Sequence, residues 1–137
     1  MRMPAIVFPA LGHVAIEALF GQLLVAIEAR SHADLEPLWT EFERALSEHF
    51  ALEERTVLAD LLAARPREAR IFLEEHRYLR SRLAQVGAML PDVSLATART
   101  FFDELRAHGQ HEERVLARWA ESSSFVSGAR KPWRTDP

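Results

Sequence analysis

The chain has 137 residues and no cysteine. That absence excludes disulfides and any thiolate metal site, so a bound metal would have to be held by histidine and carboxylate. Glycine is also scarce, with five residues, and the seven prolines gather between long periodic stretches rather than inside them. No long hydrophobic run is present. The most apolar segment, Val14 to Ala29, carries Glu17, Gln22 and Glu28, and is too polar and too short to cross a bilayer. The N-terminus lacks the pattern of a secretory signal. Arg2 is its one early positive charge, and Pro4 and Pro9 interrupt the start. Charge of one sign is lacking as well. The net charge is −3, with acids and bases interspersed, so no basic face builds up for nucleic acid. These absences lead us to expect a soluble, cytoplasmic protein with neither a membrane nor a nucleic-acid partner.

What is there reads as helix. Nearly half of the residues are apolar, enough for a core in one domain. The spacing predicts helices over residues 11–30, 35–64, 67–90 and 94–122, with no strand-period segment. Asp34 and Ser94 are the expected caps of the second and fourth, Pro37 suits a first turn, and Arg65-Pro66 marks a break. Gly109 is a cost inside the last helix. Each helix has an apolar stripe at spacings of three and four. The stripes are Ile16, Phe20, Leu24 and Ile27; Leu35, Leu38, Phe42 and Leu46; Phe72, Leu79, Leu83, Val86 and Leu90; and Ala98, Phe102, Leu105, Leu116 and Trp119. Trp39 and Trp119 are expected at the core ends. Short connections between long helices imply an all-α, antiparallel, up-down-up-down four-helix bundle over residues 1–122. Residues 123–137, with Arg130, Lys131, Trp133 and Arg134, form the expected flexible C-terminal tail.

Every stripe is interrupted by a histidine. His13 lies three residues before Ile16, His49 follows Leu46, His76 falls between Phe72 and Leu79, and His108 follows Leu105. Glu53 and Glu112 stand four residues after His49 and His108, one turn along the same face. A lone histidine on an apolar stripe is usually a core residue held by hydrogen bonds. A buried glutamate is rarer unless it is paired or metal-bound. Four histidines and two glutamates facing inward in one small bundle would be costly without a cation. A metal-free interaction bundle is therefore the weakest reading. Depth along the helices agrees: His13 and His49 flank the first turn at similar distances, as do Glu53 and His76 the second and His76 and His108 the third. All six converge on one layer. Imidazole and carboxylate suit iron, and also zinc or manganese, and bundle cores that bind two irons use this mix.

The order His13, then His49-Phe-Ala-Leu-Glu53-Glu54, then Glu75-His76-Arg-Tyr-Leu-Arg80, then His108-Gly-Gln-His-Glu112-Glu113 resembles the hemerythrin family's cation-binding domain, across about Leu11 to Ala120. The resemblance implies two iron ions as cofactor. Glu53 and Glu112 would bridge them, with His13 and His49 on one ion and His76 and His108 on the other. Oxygen-carrying members have a further histidine one turn after the helix 3 histidine, where this chain has Arg80. They also have an aspartate five residues after the helix 4 histidine, where this chain has Glu113. Guanidinium has no free lone pair, so Arg80 should snorkel or pair with a carboxylate and leave an open position near His76. The resemblance thus points away from oxygen carriage. It points to a metal-binding protein that binds, reacts with or senses oxygen or peroxide. The alternative is a non-catalytic iron or zinc binding or sensing module. Glu17, one turn after His13, is an extra ligand, a hydrogen-bond partner for an imidazole, or a satisfied polar residue. His32 and His111 are expected at the surface, and Glu54, Glu75 and Glu113 on solvated faces. The sequence leaves the oligomeric state open.

Overall fold

The computed structural model describes the backbone of residues 7–127 and the side chains of residues 13–122. The first six residues and the tail from residue 128 lie outside the described residues, and with them the expectations for the chain start and for Trp133. Five helices make up the described chain: α1 (Val7–Glu28), α2 (His32–Arg55), α3 (Val57–Ala64), α4 (Pro66–Ala88) and α5 (Leu95–Ser127). There is no strand among the described residues, and none of the helices is long and apolar enough to cross a membrane.

The expected second helix is two. Thr56 breaks it, with φ −114° and ψ −95°. Its hydroxyl donates to the Leu52 carbonyl at 2.7 Å, and its N–H reaches the Leu52 and Glu53 carbonyls at 3.1 and 3.3 Å. Carbonyls freed at the end of α2 thus keep donors. The break was hidden because Val57, Leu58 and Leu61, all buried, continue a helical spacing across it. The start of α2 is also earlier than expected. Ser31, not Asp34, precedes the helix, and its hydroxyl donates to the Asp34 carboxylate at 2.7 Å. Asp34 instead sits in the first turn, where a negative charge favours the helix dipole. Ser94 does cap α5, its hydroxyl accepting the Thr97 N–H at 3.0 Å. The backbone of α5 runs five residues past the expected end, to Ser127.

Cross-helix pairs fix how the helices sit. Between α1 and α2, His13 meets His49 and Phe20 meets Phe42. Between α1 and α5, Glu17 pairs with Arg106 and Phe20 stacks on Phe102 at 4.0 Å. Between α4 and α5, His76 meets His108 and Arg82 pairs with Glu104. In each pair of helices, numbers rise on one as they fall on the other.

The core has two parts. One is built on Phe20, Phe42, Phe50, Leu79, Phe101 and Phe102. The other joins Val57, Leu58 and Leu61 to Phe72, Leu116 and Trp119. Most stripe residues are buried, and both Trp39 and Trp119 are. On α1, however, Leu23 and Ala26 are buried, whereas Leu24 and Ile27 are only partly so. That helix is apolar on nearly all sides, so spacing alone leaves its phase loosely set.

Candidate metal centre

The layer between the two core clusters is polar. Along α2 and the start of α3 it falls between Phe50 and Val57, on α4 between Phe72 and Leu79, and on α5 between Leu105 and Val115. Its occupants are Glu53, His76, His108 and Glu112, all buried; His49 is buried beside them, and His13, on α1, is partly buried. Ordinary 3.6-residue geometry puts them there, because each continues an apolar stripe.

Two overlapping groups of side chains could each hold a metal ion. One is Glu53, His76, His108 and Glu112, and the other is His13, His49 and Glu53; within each, one ligand atom per residue lies within 4.8 Å of the rest. Glu53 belongs to both. Its Oε2 lies 3.0 Å from His49 Nε2, and its Oε1 lies 3.2 Å from His76 Nε2. Glu112 Oε2 lies 3.3 Å from His76 Nε2 and 3.5 Å from His108 Nε2. The structure therefore gathers all six expected residues.

The other side of the rings is equally ordered. His76 Nδ1 lies 2.7 Å from Glu54 Oε2, His108 Nδ1 lies 2.6 Å from Glu75 Oε1, and His13 Nδ1 lies 3.0 Å from Glu113 Oε2. An ionised carboxylate can only accept, so each Nδ1 carries the hydrogen and donates it. That tautomer turns a lone pair at Nε2 into the layer, as a metal-binding imidazole requires. Burial favours an uncharged carboxyl at Glu54, but Arg80 and His76 outweigh it and hold the group below its ordinary range.

These three glutamates were expected on solvated faces; Glu113 is exposed as expected, but Glu54 and Glu75 are partly buried, and all three accept from an imidazole of the site. Each adjoins a site residue in sequence, and about 100° of rotation per residue aims it into the crevice where the next helix presents its imidazole. Glu54 and Glu75 are half-buried there, and Glu113 reaches His13 from a more exposed position. Adjacency to an inward residue was the available signal. Glu75 also accepts from His111 Nδ1 at 3.2 Å, so His111 stays outside both groups, as expected.

Two further readings resolve. Glu17 lies outside both groups and is a paired polar residue: Arg106 donates to its two oxygens at 2.9 and 3.2 Å, and that bond holds its carboxyl below the usual range. Arg80 pairs with Glu54 at 2.9 and 3.3 Å and lies over the Phe50 ring, 5.4 Å from its centre. His76 stacks on the same ring at 4.1 Å and has no exposed surface. His76 is thus shielded from solvent on the Phe50 side. Open space lies on the other side, where a cavity of about 210 Å³ is lined by His13, His49, His108 and Gly109, among others.

The donor set fits a cation. Buried atoms with no hydrogen-bond partner concentrate in this one layer: His49, His76 and His108 Nε2, and both carboxylate oxygens of Glu53 and of Glu112. Orphaned buried groups are rare and each needs an explanation. Here the orphans are the very atoms that coordinate metals. Without a cation the layer recruits protons. Burial disfavours a charged His76, but the Glu112 and Glu53 carboxylates outweigh it and push the imidazole up to about 10. His108 is raised for the same reasons, against burial and chiefly by Glu112.

The family model described as Hemerythrin HHE cation binding domain matches residues 10–120. No curated protein and no solved structure matches the chain.

Proposed function

Since the chain belongs to the hemerythrin HHE cation-binding family, we propose that it binds two iron ions and uses them to bind, react with or sense oxygen or peroxide. The observation that carries the number is the Glu53 carboxylate, which turns one oxygen to His49 and the other to His76. A single ion would leave one of the two groups unexplained. His13 and His49 hold one ion and His76 and His108 the other, with Glu53 shared and Glu112 beside the second pair. The absence of cysteine favours iron over metals held by thiolate; zinc or manganese would suit the same ligands.

The chain's own residues set the terms of that chemistry. Glu54, Glu75 and Glu113 fix three imidazoles in the tautomer that binds metal and make them more basic. Phe50 and the flanking clusters exclude water from the His76 side. The cavity beside His13 and His49 is apolar at Ile16, Phe20 and Leu46 and polar at Glu17, Arg106 and Glu113, and is sized for a small molecule. A pair of irons supplies one-electron steps and Lewis acidity to whatever reaches it there.

Ferrous iron titrated anaerobically should saturate near two per chain. A sharp endpoint at one would sink the paired site. The ferric protein should then show a visible band that peroxide or azide shifts. A protein that holds two irons and ignores both ligands would be a reservoir rather than a reactive centre.

A further inference from the structure

We infer that Gly109 is a positioning residue whose missing side chain admits the His13 imidazole to the site. The inference rests on the reading of His13 as a ligand. Glycine in the middle of a helix is unfavourable, yet α5 carries one a single residue after His108. A Cβ at this position would stand 3.0 Å from His13 Cε1, 3.3 Å from Nδ1 and 3.4 Å from Nε2. All three atoms belong to the ring edge that faces both Glu113 and the metal layer. Contacts this close force the ring to move.

Two neighbours define the ring's place in the site. Glu113, one turn further along α5, holds its Nδ1 at 3.0 Å. The His49 ring stands edge-on at 4.9 Å between centres. A side chain at 109 would make the His13 ring give by a few tenths of an ångström, enough to disturb the geometry in which His13 and His49 would serve one ion. An unliganded His13 can swing aside, being partly exposed. A liganded one cannot. The effect of a methyl at 109 should therefore fall on metal binding and spare the metal-free fold.

Gly21 supplies the control. It also lies inside a helix, but a Cβ there would meet nothing within 4 Å. In metal-free protein, both Gly109→Ala and Gly21→Ala should raise the melting temperature by about 2–6 °C through helix propensity. Only Gly109→Ala should weaken the uptake of the second ferrous ion, by roughly tenfold or more, the scale seen when a ligand's orientation is disturbed. In a His13→Ala background the same substitution should weaken it no further. Equal affinities in Gly109→Ala and wild type would overturn the inference. So would a further loss in the His13→Ala background, which would mean that the methyl acts through something else. The ring signals of His13 in metal-free protein, read by NMR, separate this inference from the proposed function. If they move in Gly109→Ala and not in Gly21→Ala, the contact stands even should the wild type take up no iron. If they move in neither, the inference fails even if iron binds.

Discussion

Glu53→Ala is expected to abolish the uptake of both cations, lowering apparent affinity by more than about a hundredfold, because ligand loss exceeds the effect of an outer partner. The reason is positional. Glu53 is 2 % exposed and is the one residue shared by the two groups. Glu112→Ala should be uneven by comparison, since the imidazoles it approaches are those of His76 and His108. It should chiefly weaken the ion at those histidines. Glu54→Ala removes the acceptor from His76 Nδ1 and the partner of Arg80, so a loss of about 10–100-fold is expected. Metal content and binding isotherms, with circular dichroism to check the fold, would read the series. A Glu53→Ala protein that still takes up two ions, or loses no more than Glu54→Ala, would show that this carboxylate is not shared.

The second large effect is on stability, and it should change sign of slope with pH. In metal-free protein the raised His76 binds its proton more tightly folded than unfolded. Its stabilising contribution is full below the ordinary histidine value of 6.5 and is lost as pH rises through about 10. His108 acts in the same direction. Glu112 is the converse case: burial disfavours its charge, but His108 and His76 outweigh burial and hold it low. Its contribution is present above the ordinary carboxyl value of 4.5 and is lost as pH falls. The metal-free melting temperature should therefore fall steadily from pH 6.5 to 10. The metal-loaded protein should not follow it, because a cation takes the place of the proton at Nε2, and rising pH favours that exchange. Chelation should lower the melting temperature at every pH in this range, most at the alkaline end. Metal uptake at pH 7 in weak buffer should release about one proton or more per chain. A flat metal-free profile between pH 6.5 and 10, or uptake with no proton release, would mean that the layer is not held together by protons in the metal's absence.

The sequence made the inward set legible because His49 with Glu53, and His108 with Glu112, each sit one turn apart on an otherwise apolar face. Helical period alone places such pairs, and no knowledge of the neighbouring helix is needed. Glu54, Glu75 and Glu113 were not legible for the opposite reason. Their roles depend on which helix lies across the crevice and at what depth, and a single helix's pattern holds no such information. Thr56 escaped notice because apolar spacing continues through it. Leu24 was expected on the α1 stripe, yet Leu23 is the buried residue, because α1 has few polar residues to mark its outer side. Arg80 was placed against a carboxylate from its chemistry, but the Phe50 ring that it covers and that His76 stacks on is a matter of packing between helices, which sequence spacing does not locate.

The polar layer also divides the interior. One apolar cluster lies on each side of it, and no buried hydrophobic residue is assigned to both. Cooperative unfolding depends on contacts that span a domain, and here the seam between halves is made of charge and imidazole. A cation held by residues from several helices would act as a rivet through that seam. With it, the halves should melt as one. Stripped of it, the short α3 with Phe72, Leu116 and Trp119 could open separately from the larger cluster. Amide hydrogen exchange would then show two protection classes where the loaded protein shows one, and a single class in both states would mean that packing alone joins the halves.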